Sequence, residues 1–429
     1  MGELLFRRPR WLSRGTSASS RRDRALIWVA AVLACASVFF VGTSPVGALP
    51  RRSGVGSSQT STSSNNWAQF HYGAARNGSN PNETTLGTSN VGRLTMKWRA
   101  WANSTGGYSG SSPAISGGVV YVGSDDTNVY AFNASTGSLV WKFKTGGKVD
   151  SSPAVVDGVV YVGSNDGKVY ALNASNGTKK WSFTTGDQIA NGSPVVANGM
   201  VYIGSYDGYF RALDASNGML KWKSSNIWAM WKGGAISGGI VYVGTDKSML
   251  YAFDGDTGAT KWSKSLGGRV RSNPSVSNGT VYVGCDDGRL YAYNATSGSL
   301  KWKTAVLPGA APVLVRSSPA EAGGLVYITT SEGDGLTANG HTYAFDATSG
   351  VQEWVHGLPD MSGVSPVVAN GVVYSSTFGH NYYAYNAGNG KQLWNAGFDI
   401  FAGNTGSPAV VNGNLYFLNK DGYLYDFGL

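Results

Sequence analysis

The carboxylates of this chain gather in short polar turns, at Asp125-Asp126, Asp166, Asp207, Asp286-Asp287 and Asp421. Clustered carboxylates could hold a cation or move a proton. These recur in one local context, however. An Asp at a hairpin turn accepts hydrogen bonds from the turn backbone, so a structural role is expected of them. The four histidines, His71, His341, His356 and His380, show no metal-ligand spacing, and no metal site is assigned. There is no Cys-x-x-Cys-His for covalent haem attachment and no Gly-x-Ser-x-Gly for a nucleophilic serine. Cys285 follows a strand where sister segments carry Ser124, Ser164 and Ser205, so it reads as a small turn residue. No catalytic residue is assigned.

A second group of side chains breaks a pattern instead of following one. Elements of the type Ser-Ser-Pro-Ala recur along the chain, and the residues before them are Gly110, Asp150, Asn191, Lys232, Arg271, Arg316, Gly363 and Thr405. Positions that serve a repeated fold stay the same, so a varied position is the best candidate for a site. Lys232, Arg271 and Arg316 fall in consecutive segments and would form a cationic arc able to hold a carboxylate or phosphate. Trp228 and Trp231, with Met230, add an apolar or stacking face beside it. Asp150 and Asn191 complete the candidate ligand-binding rim. Two readings stand: a solvated rim with one apolar patch, or a ligand or partner site.

These side chains need a scaffold that gathers them, and a repeat supplies it. Trp98, Trp141, Trp181, Trp222, Trp262, Trp302, Trp354 and Trp394 follow one another at intervals of 40–43 residues, with one interval of 52. Residues 151–181 show the unit. Ser-Ser-Pro-Ala-Val-Val leads to a turn at Asp157-Gly158 and a β-branched strand ending at Gly163. A turn at Asn165-Asp166-Gly167, a third strand, a turn ending at Gly177 and a fourth strand carrying Trp181 complete it. Four short antiparallel strands per repeat predict an all-β fold, a β-propeller of four-stranded blades. The last unit stops after three strands at Leu429, while the segment around Trp98 has no blade before it. Pairing the N- and C-terminal segments closes the ring as an eight-bladed propeller without a free sheet edge.

The block Ala-x-(Asn/Asp)-x-x-x-Gly-x-x-x-Trp occurs seven times, ending at each Trp from Trp141 to Trp394. Its Asn or Asp and its Gly form a tight turn. Its Trp is expected to wedge between blades with the indole N–H on a neighbouring carbonyl. The block resembles the tryptophan-docking motif of the pyrroloquinoline-quinone (PQQ) repeat family. Asn66-Trp67 through Phe70-His71 and Arg76-Asn77 to Asn80-Pro81, followed by Ser89-Asn90-Val91-Gly-Arg93-Leu94, resemble the N-terminal segment of PQQ-dependent alcohol dehydrogenases and polyvinyl-alcohol-dehydrogenase-like proteins. The resemblance covers residues 66–429. It implies an extracytoplasmic propeller. In the enzymes it also implies PQQ at the mouth, stacked on a Trp, held by Arg and Lys, and bridged to calcium by Glu, Asn and Asp. A further Asp acts as base, and a disulfide of adjacent cysteines covers the quinone. Here Cys285 has no adjacent cysteine, Glu is scarce on the rim, and the long inserts that carry base and calcium ligands are missing. The same repeat builds the non-catalytic BamB-type propeller. The favoured reading is therefore an exported, non-catalytic binding or scaffold module for a protein or envelope polymer, with no cofactor. The alternative is a PQQ- and calcium-dependent quinoprotein dehydrogenase acting on an alcohol or sugar. A rim carboxylate pair converging with an Asn on one point would favour the alternative.

Residues 1–48 are a different material. Seven arginines precede an apolar run at 25–42, and Val46-Gly47-Ala48 has the spacing of a signal-peptidase site. An export signal is expected, with a retained membrane anchor as the alternative; either places the remainder outside the cytoplasm. Ser20-Arg21-Arg22-Asp23-Arg24 resembles a twin-arginine motif. Residues 49–65 are rich in Ser, Gly and Thr and read as a flexible tether to the propeller of residues 66–429. The leader supplies five of the nine net positive charges. No basic cluster interleaved with aromatics remains, which excludes nucleic acid as the expected partner. A monomer is expected.

Overall fold

The computed structural model describes residues 66–102, 110–229, 233–306, 313–332, 339–378, 381–397, 406–419 and 421–429. The expected export signal and tether lie outside them. In the second blade the strands are Ala154–Val156, Val159–Gly163, Lys168–Asn173 and Lys179–Thr184, paired antiparallel in that order from inside out. The inner hairpin turns through Asp157 at φ 49° and Gly158 at φ 72°. Two positive values in succession make the two-residue turn whose twist matches that of the strands it joins. The second strand is buried at every position, because blades cover it on both faces. The outer strand alternates, with Trp181 buried between exposed neighbours. Eight such sheets make the eight-bladed ring.

Each blade is fastened to the next through one shared carbonyl. The Trp141 indole donates to the Ala174 oxygen at 2.9 Å, and the Tyr121 hydroxyl donates to the same atom at 3.2 Å. Trp181 with Tyr161 on Ala215, Trp222 with Tyr202 on Gly255 and Trp262 with Tyr242 on Ala295 repeat the arrangement. So do Trp302 with Tyr282 on Ala347, Trp354 with Tyr327 on Ala387 and Trp98 with Tyr416 on Ala134. The indole lies flat on the turn glycine of the next blade. A Cβ added to Gly177 would stand 2.7 Å from Trp141 Cε3, and Gly177 also has φ 72°. That glycine is needed twice, for its backbone angle and for its missing side chain. Trp394 is different. It packs edge-on to Phe427 with ring centres 5.6 Å apart.

The ends of the chain close the ring. Thr95–Trp101 pairs antiparallel with Tyr423–Gly428, with Trp98 opposite Asp426 and Trp101 opposite Tyr423. It forms the outer strand of the blade whose inner strands are Ala409–Val411 and Asn414–Leu418.

Residues 67–80 do something the repeat pattern does not announce. They pass from blade to blade across the inner strands as a strap. Trp67 N donates to Ile115 O at 2.9 Å, and Val155 N to Ala68 O at 2.7 Å. The Gln69 side chain accepts from Val196 N at 2.9 Å and donates to Val196 O at 3.0 Å. Ile236 N reaches Ala74 O at 2.8 Å, Val276 N reaches Ala75 O at 2.9 Å, and Glu321 N reaches Asn77 O at 2.8 Å. Val368 N donates to Gly78 O at 2.8 Å, and Asn80 Nδ2 to Val410 O at 2.8 Å. All eight inner strands thus find hydrogen-bond partners on a single segment.

Candidate functional site at the channel mouth

Among the described residues, two positions of a blade meet at the mouth: the residue before the inner strand element, and the residue one beyond the Ser, Thr or Cys that follows the second strand. In consecutive blades they interlock. Asn165 Nδ2 donates to Asp150 Oδ2 at 2.9 Å, and Asp125 lies against Asp150. Burial lifts the Asp150 carboxyl to about 7, with the neighbouring Asp125 carboxylate pushing the same way and Lys148 opposing. Both Asp125 oxygens and Asn165 Oδ1 are buried, with Asp125 set against the Asp150 carboxyl and Lys148 Nζ 3.8 Å from Asp125 Oδ2. Further round, Arg271 Nε donates to Asp246 Oδ1 at 2.8 Å and lies 3.9 Å from Asp286 Oδ2. Arg316 grips Asp286 with two parallel bonds, of 2.9 and 3.1 Å, the geometry that suits a guanidinium fork.

Below the rim is a narrower waist. Ser112, Ser152, Ser193, Asn273, Ser318, Ser365 and Ser407, from seven of the blades, line a cavity of about 90 Å³ together with Phe70 and the rim residues Gly110, Asn191 and Gly363. Neighbouring blades are linked here. Ser112 N donates to Ser152 Oγ at 2.9 Å, Ser152 N to Ser193 Oγ at 3.0 Å and Asn273 N to Ser318 Oγ at 3.1 Å. Ser318 N donates to Ser365 Oγ at 2.8 Å, Ser365 N to Ser407 Oγ at 3.1 Å and Ser407 N to Ser112 Oγ at 2.8 Å. The belt is interrupted at Gly233. A Cβ there would stand 2.5 Å from Arg76 Nη2 and 3.0 Å from its Cζ, so the guanidinium of the strap fills the eighth slot.

The residues expected at the site fare differently. Asp150, Asn191, Arg271 and Arg316 do lie around the mouth. The arc is not bare cation, since each arginine has a carboxylate partner. Trp228 has φ 59°, is 45 % exposed, and carries Lys247 Nζ 5.0 Å above its ring. Lys232, Trp231 and Thr405 lie outside the described residues. Cys285 is a buried free thiol, pushed up to about 12 by burial.

The turn carboxylates split into two classes. Asp126, Asp166 and Asp287 accept from Tyr130, Tyr170 and Tyr291 at 2.5 Å, and Asp421 accepts likewise from Tyr425. They also hold turn N–H groups, as expected of them. Asp125, Asp246 and Asp286 belong to the rim instead. A signal for this was present: the position varies from blade to blade as Asp125, Asn165, Tyr206, Asp246, Asp286, Ser331 and Phe378, just as the rim position does.

The comparisons with known proteins fit this architecture. The family model described as outer membrane protein assembly factor BamB matches residues 82–230, 227–356 and 338–428. The chain belongs to this family. Among solved structures, BamB from Moraxella catarrhalis is similar with a TM-score of 0.64 at 18 % identity, covering 78 % of this chain and 98 % of that one. Quinohemoprotein alcohol dehydrogenase ADHIIG from Pseudomonas putida HK5 gives a TM-score of 0.71 at 17 % identity, covering 85 % and 80 %. A europium-containing methanol dehydrogenase gives 0.69 at 14 % identity, covering 85 % and 98 %. At such identities the likeness is one of fold. No curated protein matches the chain.

The described residues do not fit PQQ. The axial cavity is about 90 Å³, whereas cofactor pockets start at about 300 Å³, and both described rim arginines are already paired. For calcium the match is partial. Asp125, Asp150 and Asn165 gather acceptor oxygens, yet calcium takes about six to eight, and Asn165 Nδ2 already bonds Asp150 directly.

Proposed function

We propose that this chain is an exported, non-catalytic propeller whose mouth face binds a protein or an envelope polymer outside the cytoplasm. One observation carries the reading: the described arginines of the rim are already paired, Arg271 with Asp246 and Arg316 with Asp286, above a cavity of only about 90 Å³. A mouth whose arginines are already paired suits a broad polar contact with an exposed aromatic, Trp228, better than an engulfed cofactor. Membership of the BamB family supports the same reading. No helix among the described residues is long and apolar enough to cross a membrane, so attachment to a membrane would rest on the N-terminal segment.

The alternative, a PQQ- and calcium-dependent dehydrogenase of an alcohol or sugar, draws support from the Asp125–Asp150–Asn165 group alone. Two measurements separate the readings. The purified chain mixed with PQQ and calcium, then desalted, is expected to retain no quinone absorbance and to oxidise no alcohol with a dye acceptor. Retained quinone with turnover would replace the first reading by the second. A photo-crosslinking residue at position 228, on the mouth, should capture a partner in cells that one at position 238, in an inner hairpin turn on the opposite face, does not. Equal capture from both positions would sink the mouth-face assignment.

A further inference from the structure

We propose that Asp426 is a proton-controlled latch on the ring: its neutral carboxyl lets the N-terminal strand seat in the closing blade, and its ionised form loosens that strand. The inference concerns the seam of the ring and does not depend on the reading of the mouth. In seven blades the residue opposite the outer-strand tryptophan is a fully buried alanine. Ala171, for example, stands between Trp181 on one side and Tyr161 on the other. In the closing blade the same place, between Trp98 and Tyr416, holds Asp426. A position that otherwise takes only a methyl group carries a carboxyl at the one interface built from both ends of the chain. Asp426 is 3 % exposed, and its Oδ1 is buried without a partner. Trp98 is only partly buried, whereas the tryptophans from Trp141 to Trp394 are buried.

A carboxylate without partners in an apolar interface is costly, so the group keeps its proton or finds water. Burial pushes Asp426 up to about 7, and Lys97 opposes the rise from its exposed place beside Trp98. Tyr416 shares this face. Burial, with Asp426 adding to it, raises its phenol, whose hydroxyl donates to Ala134 O at 3.3 Å. The first blade meets the face with Val120, Val122 and Phe132. Its titratable pair is closed on itself, Tyr130 donating to Asp126 at 2.5 Å. Arg99, Tyr425 and Asp421 belong to the other face of the closing blade, Arg99 opposite Tyr425 and Tyr425 bonded to Asp421. Water reaches the carboxyl once the strand Thr95–Trp101 lifts away, and there its ordinary value is 3.8. From about pH 4 to about pH 7 the closed ring therefore binds more protons than the opened one. Closure is tightest in acid, weakens as pH rises through that window, and is level above it.

The test uses the full chain. Backbone hydrogen exchange of Thr95–Trp101 is measured at pH 5 and pH 8 and corrected for the intrinsic rates. The protection is then divided by that of Thr260–Ser265, the outer strand of the fourth blade, where Ala252 stands opposite Trp262. This ratio is expected to fall by about tenfold or more from pH 5 to pH 8 in the parent. Asp426→Ala, which restores the residue of the other blades, is expected to make it level. Asp426→Asn, neutral at both pH values, serves as a second variant with the same expectation. A ratio that does not change with pH in the parent, or that falls equally in both variants, overturns the inference.

Discussion

Asp150 shows how neighbours rather than residue type set a side chain's properties. Its carboxyl has an ordinary value of 3.8 and is raised to about 7 in the fold. Between those values the folded chain binds more protons than the unfolded one, so stability falls as pH rises through that window and is level above it. Asp150→Asn removes this loss and keeps an acceptor for Asn165 Nδ2. The variant is expected to melt above the parent at pH 8 and together with it at pH 4. Asp426, also raised to about 7 by burial, is common to both proteins and cancels in the comparison. A variant that melts below the parent at pH 8 would contradict the account. At this scale the sequence was partly legible. The variation at Asp150, Arg271 and Arg316 marked the rim. The partners Asp125 and Asp286 were hidden because each sits beside a turn residue of the same chemistry, Asp126 and Asp287.

The blade is the next scale, and here legibility was high. Period, turn glycine and tryptophan are local signals, and they are visible together in seven units. The interfaces they make are nearly identical, apart from the last. Trp354 donates to Ala387 O at 2.9 Å, whereas the Trp394 indole packs edge-on to Phe427 and makes no such bond among the described residues. Changing each to Phe therefore removes a hydrogen bond at one interface and not at the other. Trp354→Phe is expected to cost about 1 kcal/mol more than Trp394→Phe in urea unfolding. Equal losses would mean that the shared carbonyl contributes nothing. The strap was the element that could not be read. Residues 67–80 have no repeat and no strand period. Their backbone groups, with the side chains of Gln69 and Asn80, bond to strands in all eight blades, at sequence distances that no local pattern encodes.

For the whole molecule the decisive event is closure. The strand Thr95–Trp101 is the fourth strand of a blade whose other strands come from the end of the chain. Deleting residues 94–101 opens a sheet edge and empties the place of Trp98 at once, and the protein is expected to unfold or to associate through that edge. Size-exclusion chromatography and thermal melting check this, and a monomer that melts like the parent would refute it. The sequence by itself determined the blade, the number of blades and the manner of closure. All three follow from a periodic signal and from one unit that lacks a strand. Only the tertiary structure decided which side chains face one another across the channel. That depends on how eight inner strands are rotated about one axis. The rotation brings Arg271 between Asp246 and Asp286, sets Asp125 against Asp150, and threads Arg76 into the slot left open by Gly233.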